Sequence, residues 1–231
     1  MERTLIKDLK NHTGQEVLIE GSVSVRRDQG KMVFFDFRDR SGSVQGVVLP
    51  NSGAIEAAKE VRSEFVVSVE GKVNQRPEKN VNANIQNGDI ELEIKKIEII
   101  SVAEIPFELG SEVNLDTYLD HQPFTLRSEK AKQVFKVQDA IIQGFRDGMR
   151  GQDFVEFQAP ALVGGDAEGG AAAFTVDYYY DQKAFLATSP QFYKQIMVGV
   201  FERAFATPKV FRGEKHSTTR HLSEYSSMDF E

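Results

Sequence analysis

Apolar and polar positions alternate through much of the first hundred residues. In EVLIEGSVSVRR (16–27) the alternation puts Val17, Ile19, Val23 and Val25 on one face of a strand. A turn at Gly30 leads into KMVFFDFRDR (31–40). There Val33, Phe35 and Phe37 share one face, and Met32, Phe34, Asp36 and Arg38 share the other. RSG, a turn signal, precedes a third strand, SVQGVVLP (43–50). A short helix over 52–64, opened by Ser52, separates it from strands FVVSVEGKV (65–73) and DIELEIKKIEII (89–100).

Five short strands with one interrupting helix predict an all-β closed barrel of the OB-fold type over residues 1–102. A stretch with Pro and Gly, 102–114, marks a boundary, and a linker is expected over 103–126. Over 127–231 helix and strand patterns mix. Val134, Val137, Ile141, Phe145 and Met149 recur at helical spacing in 128–150, behind Ser128 as N-cap. DFVEFQAP (153–160) reads as a strand ended by Pro160, GGDAEGGAAAF (164–174) as a Gly-rich loop and AFLATS (184–189) as a strand. PQFYKQIMVGVFE (190–202) reads as a helix with Pro190 at its first position, and PKVF (208–211) as a further strand.

Composition removes several classes. Cysteine is absent, which excludes disulfides and thiolate metal sites. No apolar run approaches the ~18–20 residues of a membrane span, and the polar opening MERTLIKDLKN lacks a signal-peptide core. A cytoplasmic location and no membrane partner are therefore expected. A net charge of −7 argues against bulk, nonspecific binding of nucleic acid but leaves room for a local basic patch.

Four constellations suggest chemistry. Phe34 is an aromatic on a polar strand face, beside Arg26 and Arg27 of the preceding strand. Single-stranded bases stack on such platforms while arginines hold the backbone; cover by a loop or by the second domain is the plainer alternative. Glu168, in the Gly-rich loop, suits a cation such as a substrate ammonium, against the commoner solvated turn glutamate. TSPQFYKQ (188–195) sets Ser189 and Gln191 at a helix entrance and Lys194 in its first turn, where the dipole disfavours a cation. A bound carboxylate would account for Lys194; an exposed helix lysine is the commoner case. Finally, FRGEKHSTTRHLSEYSSMDFE (211–231) gathers Arg212, Glu214, His221 and Tyr225, which match a phosphate, a purine amino group and a base face. A solvated charged hairpin is the alternative there.

Together these stretches resemble the class II aminoacyl-tRNA synthetases, and among them the aspartyl-tRNA synthetases. QDFVEFQAP resembles the family's motif 1, AEGG and SPQFYKQ its aspartate-site signatures, and VFRGEKHSTTRHLSEYSSMDFE its motif 2. RRDQGKMVFFDFRDRSGSVQGVV is similar to its anticodon-binding domain. The resemblance implies an α+β catalytic domain, an antiparallel sheet with helices, of which 127–231 is the incomplete first part. It implies ATP-dependent attachment of aspartate to tRNA through an aspartyl-adenylate.

The roles it implies are these. Glu168 and Asp229 hold the ammonium of aspartate, Ser189 and Gln191 line the same pocket, and Lys194 pairs with the side-chain carboxylate. Arg212 is the catalytic residue, binding the α-phosphate of ATP; Glu214 contacts the adenine amino group, Tyr225 stacks on adenine and His221 reaches the distal phosphates. Phe34 stacks on an anticodon base, with Arg27 and Gln45 holding or reading its neighbours. Motif 1 implies a homodimer. The partners implied are tRNA(Asp) and aspartate, with charging of tRNA(Asn) left open. Mg²⁺ is implied as well, with ligands in motif 3, beyond residue 231. Without motif 3 the 231-residue chain is expected to have little or no aminoacylation activity. The alternatives are an inactive anticodon-binding fragment and an asparagine-forming relative; the barrel counts against the latter.

Overall fold

The alternation of the first strand holds as far as Val23 and then breaks. The computed structural model describes residues 1–165, 172–215, 218 and 220–231. Strand β1 (Glu16–Gln29) pairs antiparallel with β2 (Met32–Asp39) from Ser22↔Arg38 to Gln29↔Met32, with an irregularity between Val23 and Val25 that leaves Ser24 unmatched. This bulge shifts the strand by one residue, and a one-residue shift exchanges the faces. Val17, Ile19 and Val23 are buried as the alternation predicts, whereas Val25 is 39% exposed. Val25 therefore lies off the face predicted for it, because it follows the extra residue.

β3 (Gly42–Val48), helix α1 (Ile55–Glu60), β4 (Val66–Gln75) and β5 (Ile90–Ser101) complete the expected closed barrel, in the order β1-β2-β3-β5-β4. β3 and β5 run parallel; the other pairs are antiparallel. Phe35, Phe37, Ile19, Ile90, Leu92 and Ile94 are the largest side chains in its core. Gly46 is required there: a Cβ would come within 2.6 Å of Phe37 and 2.9 Å of Ile94. A 3₁₀ turn, Ile6–His12, adds Ile6 and Leu9 to the core, and α1 adds Ala58. The helix is shorter than predicted. Ser52 donates to the carbonyl of Ile94, the cap residue is Ala54, and Val61 turns extended to bury its side chain.

By its internal contacts the first compact unit runs from Met1 to Thr125. It includes α2 (Leu115–Asp120), capped by the Asn114 side chain, and α3 (Gln122–Thr125). Phe107 meets the rings of His121 and Phe124 edge-on in this segment.

The second unit is Leu126–Glu231. Helix α4 (Glu129–Arg150) starts at Ser128, whose hydroxyl accepts from the Ala131 N–H as predicted. β6 (Val155–Glu156) is far shorter than the expected 153–160 strand. Asp153 takes a left-handed φ of 64°, and Pro160 has no N–H for a ladder. β7 (Leu162–Val163), β8 (Thr175–Asp177) and β9 (Lys183–Leu186) form one small sheet with β9 in the middle. α5 (Gln191–Phe201) follows, with Pro190 as its cap residue rather than its first helical one. β10 (Ala204–Ala206) pairs parallel with β6 and antiparallel with β13 (Asp229–Phe230), so the sheet is not purely antiparallel. β11 (Lys209–Phe211) and β12 (Glu224–Ser226) form an antiparallel ribbon.

Candidate functional site

The β11–β12 ribbon brings distant residues together. Val210 faces Tyr225, and the Arg212 N–H continues the ladder to the Ser223 carbonyl at 3.0 Å. Two residues on from Val210, Arg212 lies on the same face as Tyr225, with its guanidinium carbon 5.9 Å from the ring centroid. Glu214 follows, and its carboxylate lies 4.0 Å from His221 Nε2. Thr218 Oγ1 is 2.6 Å from His221 Nδ1. Arg212, Glu214, His221 and Tyr225 line one cavity of about 560 Å³ with Arg220 and Ser223. All four sequence candidates thus share a space; Arg220 was not singled out, though its position beside His221 in the same polar run was the available signal.

A second group forms around α5. From Lys194 to the helix end at Phe201 is about 10 Å of rise, and the chain returns a similar distance through β10. That return sets Ala206 opposite Asp229, beside the start of the helix. Lys194 is only 8% exposed, with its ammonium 3.4 Å from Asp229 Oδ1 and 3.2 Å from Glu231 Oε2. The other Asp229 oxygen accepts from the Ser227 hydroxyl. Sequence reasoning asked for a carboxylate at Lys194; the structure supplies two from the chain itself. Ser189 accepts from the Gln191 N–H at 3.1 Å and lines a cavity of about 480 Å³ with Gly164, Gly165 and Tyr193. Glu168 lies outside the described residues.

The barrel carries a third group. After the Ser24 bulge, Arg27 stands opposite Phe34, and Asp36 stands opposite Gln45. Residues opposite one another share a sheet face, so Arg27, Phe34 and Gln45 lie together. Phe34 is half-buried. Arg27 donates through both terminal nitrogens to the two oxygens of Asp36, at 2.7 and 2.8 Å. That bond, against the cost of burial, raises the Arg27 pKa above its ordinary value. Arg26 is not beside Phe34 as expected. It stands opposite Phe35 on the inner side and donates to the carbonyls of Lys59 and Val61 at the end of α1.

Among the described residues no group of three or more His, Asp or Glu side chains forms a metal-binding cluster. Among the same residues no helix is long and apolar enough to cross a membrane.

A closed barrel with a convergent aromatic-arginine face, joined in one chain to a unit built around an arginine-glutamate-histidine-tyrosine cavity, defines a class. The family described as tRNA synthetases class II (D, K and N) matches residues 114–231, and the OB-fold nucleic acid binding domain matches 17–100. The chain belongs to the class II tRNA synthetases of this group. It is 42% identical to the aspartate–tRNA(Asp/Asn) ligase of Thermus thermophilus, over 99% of this chain and 52% of that protein. It is 31% identical to the aspartate–tRNA(Asp) ligase of Thermoplasma acidophilum, over 100% of this chain and 54% of that one. Among solved structures, asparaginyl-tRNA synthetase from Pyrococcus horikoshii with asparaginyl-adenylate superposes with a TM-score of 0.88 at 30% identity. That match covers 100% of this chain and 52% of the other. The chain spans about half the length of the curated relatives it matches.

Proposed function

We propose that this chain is part of an aspartate–tRNA ligase, acting in the cytoplasm, which joins aspartate to tRNA(Asp) through an aspartyl-adenylate. One observation carries the assignment: Arg212, Glu214, His221 and Tyr225 line a single cavity large enough for a nucleotide. In the first step the α-carboxylate of aspartate attacks the α-phosphorus of ATP and pyrophosphate leaves. In the second, a terminal hydroxyl of the tRNA attacks the acyl carbon and AMP leaves. Such chemistry depends on placing reactants in line and neutralising charge. Arg212 neutralises the α-phosphate, His221 and Arg220 reach toward the distal phosphates, Glu214 accepts from the adenine amino group and Tyr225 offers its ring to the base.

Lys194 has three N–H donors; one donates to Asp229, and Glu231 adds an ion pair beside it. Its remaining donor capacity suits the side-chain carboxylate of the substrate, while the two acidic groups favour its ammonium. Ser189 and Gln191 are assigned to the same pocket, and Glu168 to the ammonium. The described residues do not fit a Mg²⁺ site, so no step here runs through a metal.

The barrel face of Arg27, Phe34 and Gln45 receives the anticodon. Pairing of two copies is supported by α4. Val134, Val137 and Ile141 on one side of this helix are 63%, 57% and 51% exposed, a contiguous apolar stripe of the kind a partner covers. Relatives include ligases named for both tRNA(Asp/Asn) and tRNA(Asp); tRNA(Asp) is assigned here and tRNA(Asn) is the variable to test.

Equilibrium titration of the chain with ATP and GTP tests the nucleotide cavity. ATP should bind at least about tenfold tighter, the size of one charged hydrogen bond. Glu214→Gln should level the two, and Arg212→Gln should weaken both. Equal binding of ATP and GTP by the wild-type chain would contradict the assignment.

A further inference from the structure

The bulge at Ser24 is enclosed by a small polar clamp. Arg38, in β2, donates to the Ser24 hydroxyl at 3.0 Å and to both oxygens of Glu64 at 2.6 Å. Glu64 is 3% exposed and takes a left-handed φ of 68°, a costly conformation for a residue with a side chain. Its own N–H donates to the carbonyl of Val23 at 2.7 Å, and the Val23 N–H donates to Phe65. The bulged backbone is thus held from one side by Glu64 and Phe65 and through its hydroxyl by Arg38. Arg38 and Glu64 close the ring between these two holds.

Without the extra residue, strict alternation puts Val25 and Arg27 on the core side and Arg26 outside. With it, Arg26 turns in to hold the end of α1, and Arg27 turns out to stand opposite Phe34. We infer that Arg38 and Glu64 are positioning residues for RNA recognition: they fix the Ser24 bulge, and the bulge delivers Arg27 to the face carrying Phe34 and Gln45. This rests on the assignment of that face to the anticodon. Arg38 itself is largely covered and bonded to Ser24 and Glu64, so it acts through the strand and not on the RNA.

The test is binding of an RNA hairpin carrying the tRNA(Asp) anticodon loop to the 231-residue chain, across a range of salt. Each neutralised phosphate in a single strand contributes a slope of about 0.7 in log K against log salt. Arg27→Gln should lower the slope by about that amount. Arg38→Gln should do the same alone and should change binding less than about twofold when Arg27→Gln is already present. Equal losses from Arg38→Gln in both backgrounds would overturn the inference, since general destabilisation ignores what residue 27 is. Ser24→Ala, which removes one hydroxyl and leaves the fold intact, should give a smaller loss with the same dependence on Arg27; a loss independent of Arg27 also counts against it. If Phe34→Ala, Arg27→Gln and Gln45→Ala all bind as the wild type does, the anticodon assignment itself fails.

Discussion

Phe34 is an aromatic among polar neighbours. It sits on the polar face of β2, half-buried, opposite Val47 on one neighbour and Arg27 on the other. Stacking of a base on an aromatic contributes roughly 1–3 kcal/mol. Phe34→Ala should therefore weaken binding of the anticodon hairpin about five- to a hundredfold without changing the salt slope, as measured by filter binding. Asp39 offers a different check. Burial opposes its ionisation, but the Ser41 hydroxyl and the N–H groups of Ile6, Ser41 and Gly42 outweigh that cost. Its carboxyl is held below the usual carboxylate range. A depressed acid stabilises the fold above its unfolded pKa, about 3.9, and that contribution is lost as pH falls through the lower folded value. Thermal melts should show the wild-type barrel losing stability below about pH 4, and Asp39→Asn losing less over the same window.

At the scale of elements, legibility followed the strength of the pattern. Period two placed Val33, Phe35 and Phe37 inside β2, and Phe35→Ala should cost about 3–5 kcal/mol in a denaturant titration of the barrel. The same period misplaced Val25 and Arg26, because a bulge is set by contacts far along the chain, here Arg38 and Glu64, and leaves no mark in local alternation. Ser128 was readable as a cap, since capping is local chemistry. β6 was not readable in length, because its partner β10 is only three residues long. The apolar spacing of α4 was visible, but not which part packs within the unit. Phe145 meets Phe205 edge-on at 5.6 Å, while Val134, Val137 and Ile141 face solvent. Val137→Asp with Ile141→Lys should convert the proposed dimer to monomer in sedimentation equilibrium, with little change in helix content.

For the whole molecule, the proposed function divides two recognition tasks between two units. The barrel presents an aromatic and a carboxylate-held arginine on one face. The second unit presents a nucleotide-sized cavity and, around α5, a nearly buried lysine between two acids. Arg212, Glu214, His221 and Tyr225, which line one cavity, were legible as a group because they crowd into one polar stretch. Lys194 stood out because a cation in a helix's first turn is out of place, and it is nearly buried and ion-paired. That Asp229 and Glu231 hold that cation was not legible in the sequence, since their proximity depends on the return of β10 beside the helix.

The central claim is that this second unit selects aspartate. Calorimetric titration of the chain with the aspartyl and asparaginyl forms of sulfamoyl-adenosine, stable stand-ins for the two adenylates, tests it most directly. The aspartyl form should bind at least about tenfold tighter, and Lys194→Met should remove the difference. Equal or tighter binding of the asparaginyl form with Lys194 intact would contradict the account.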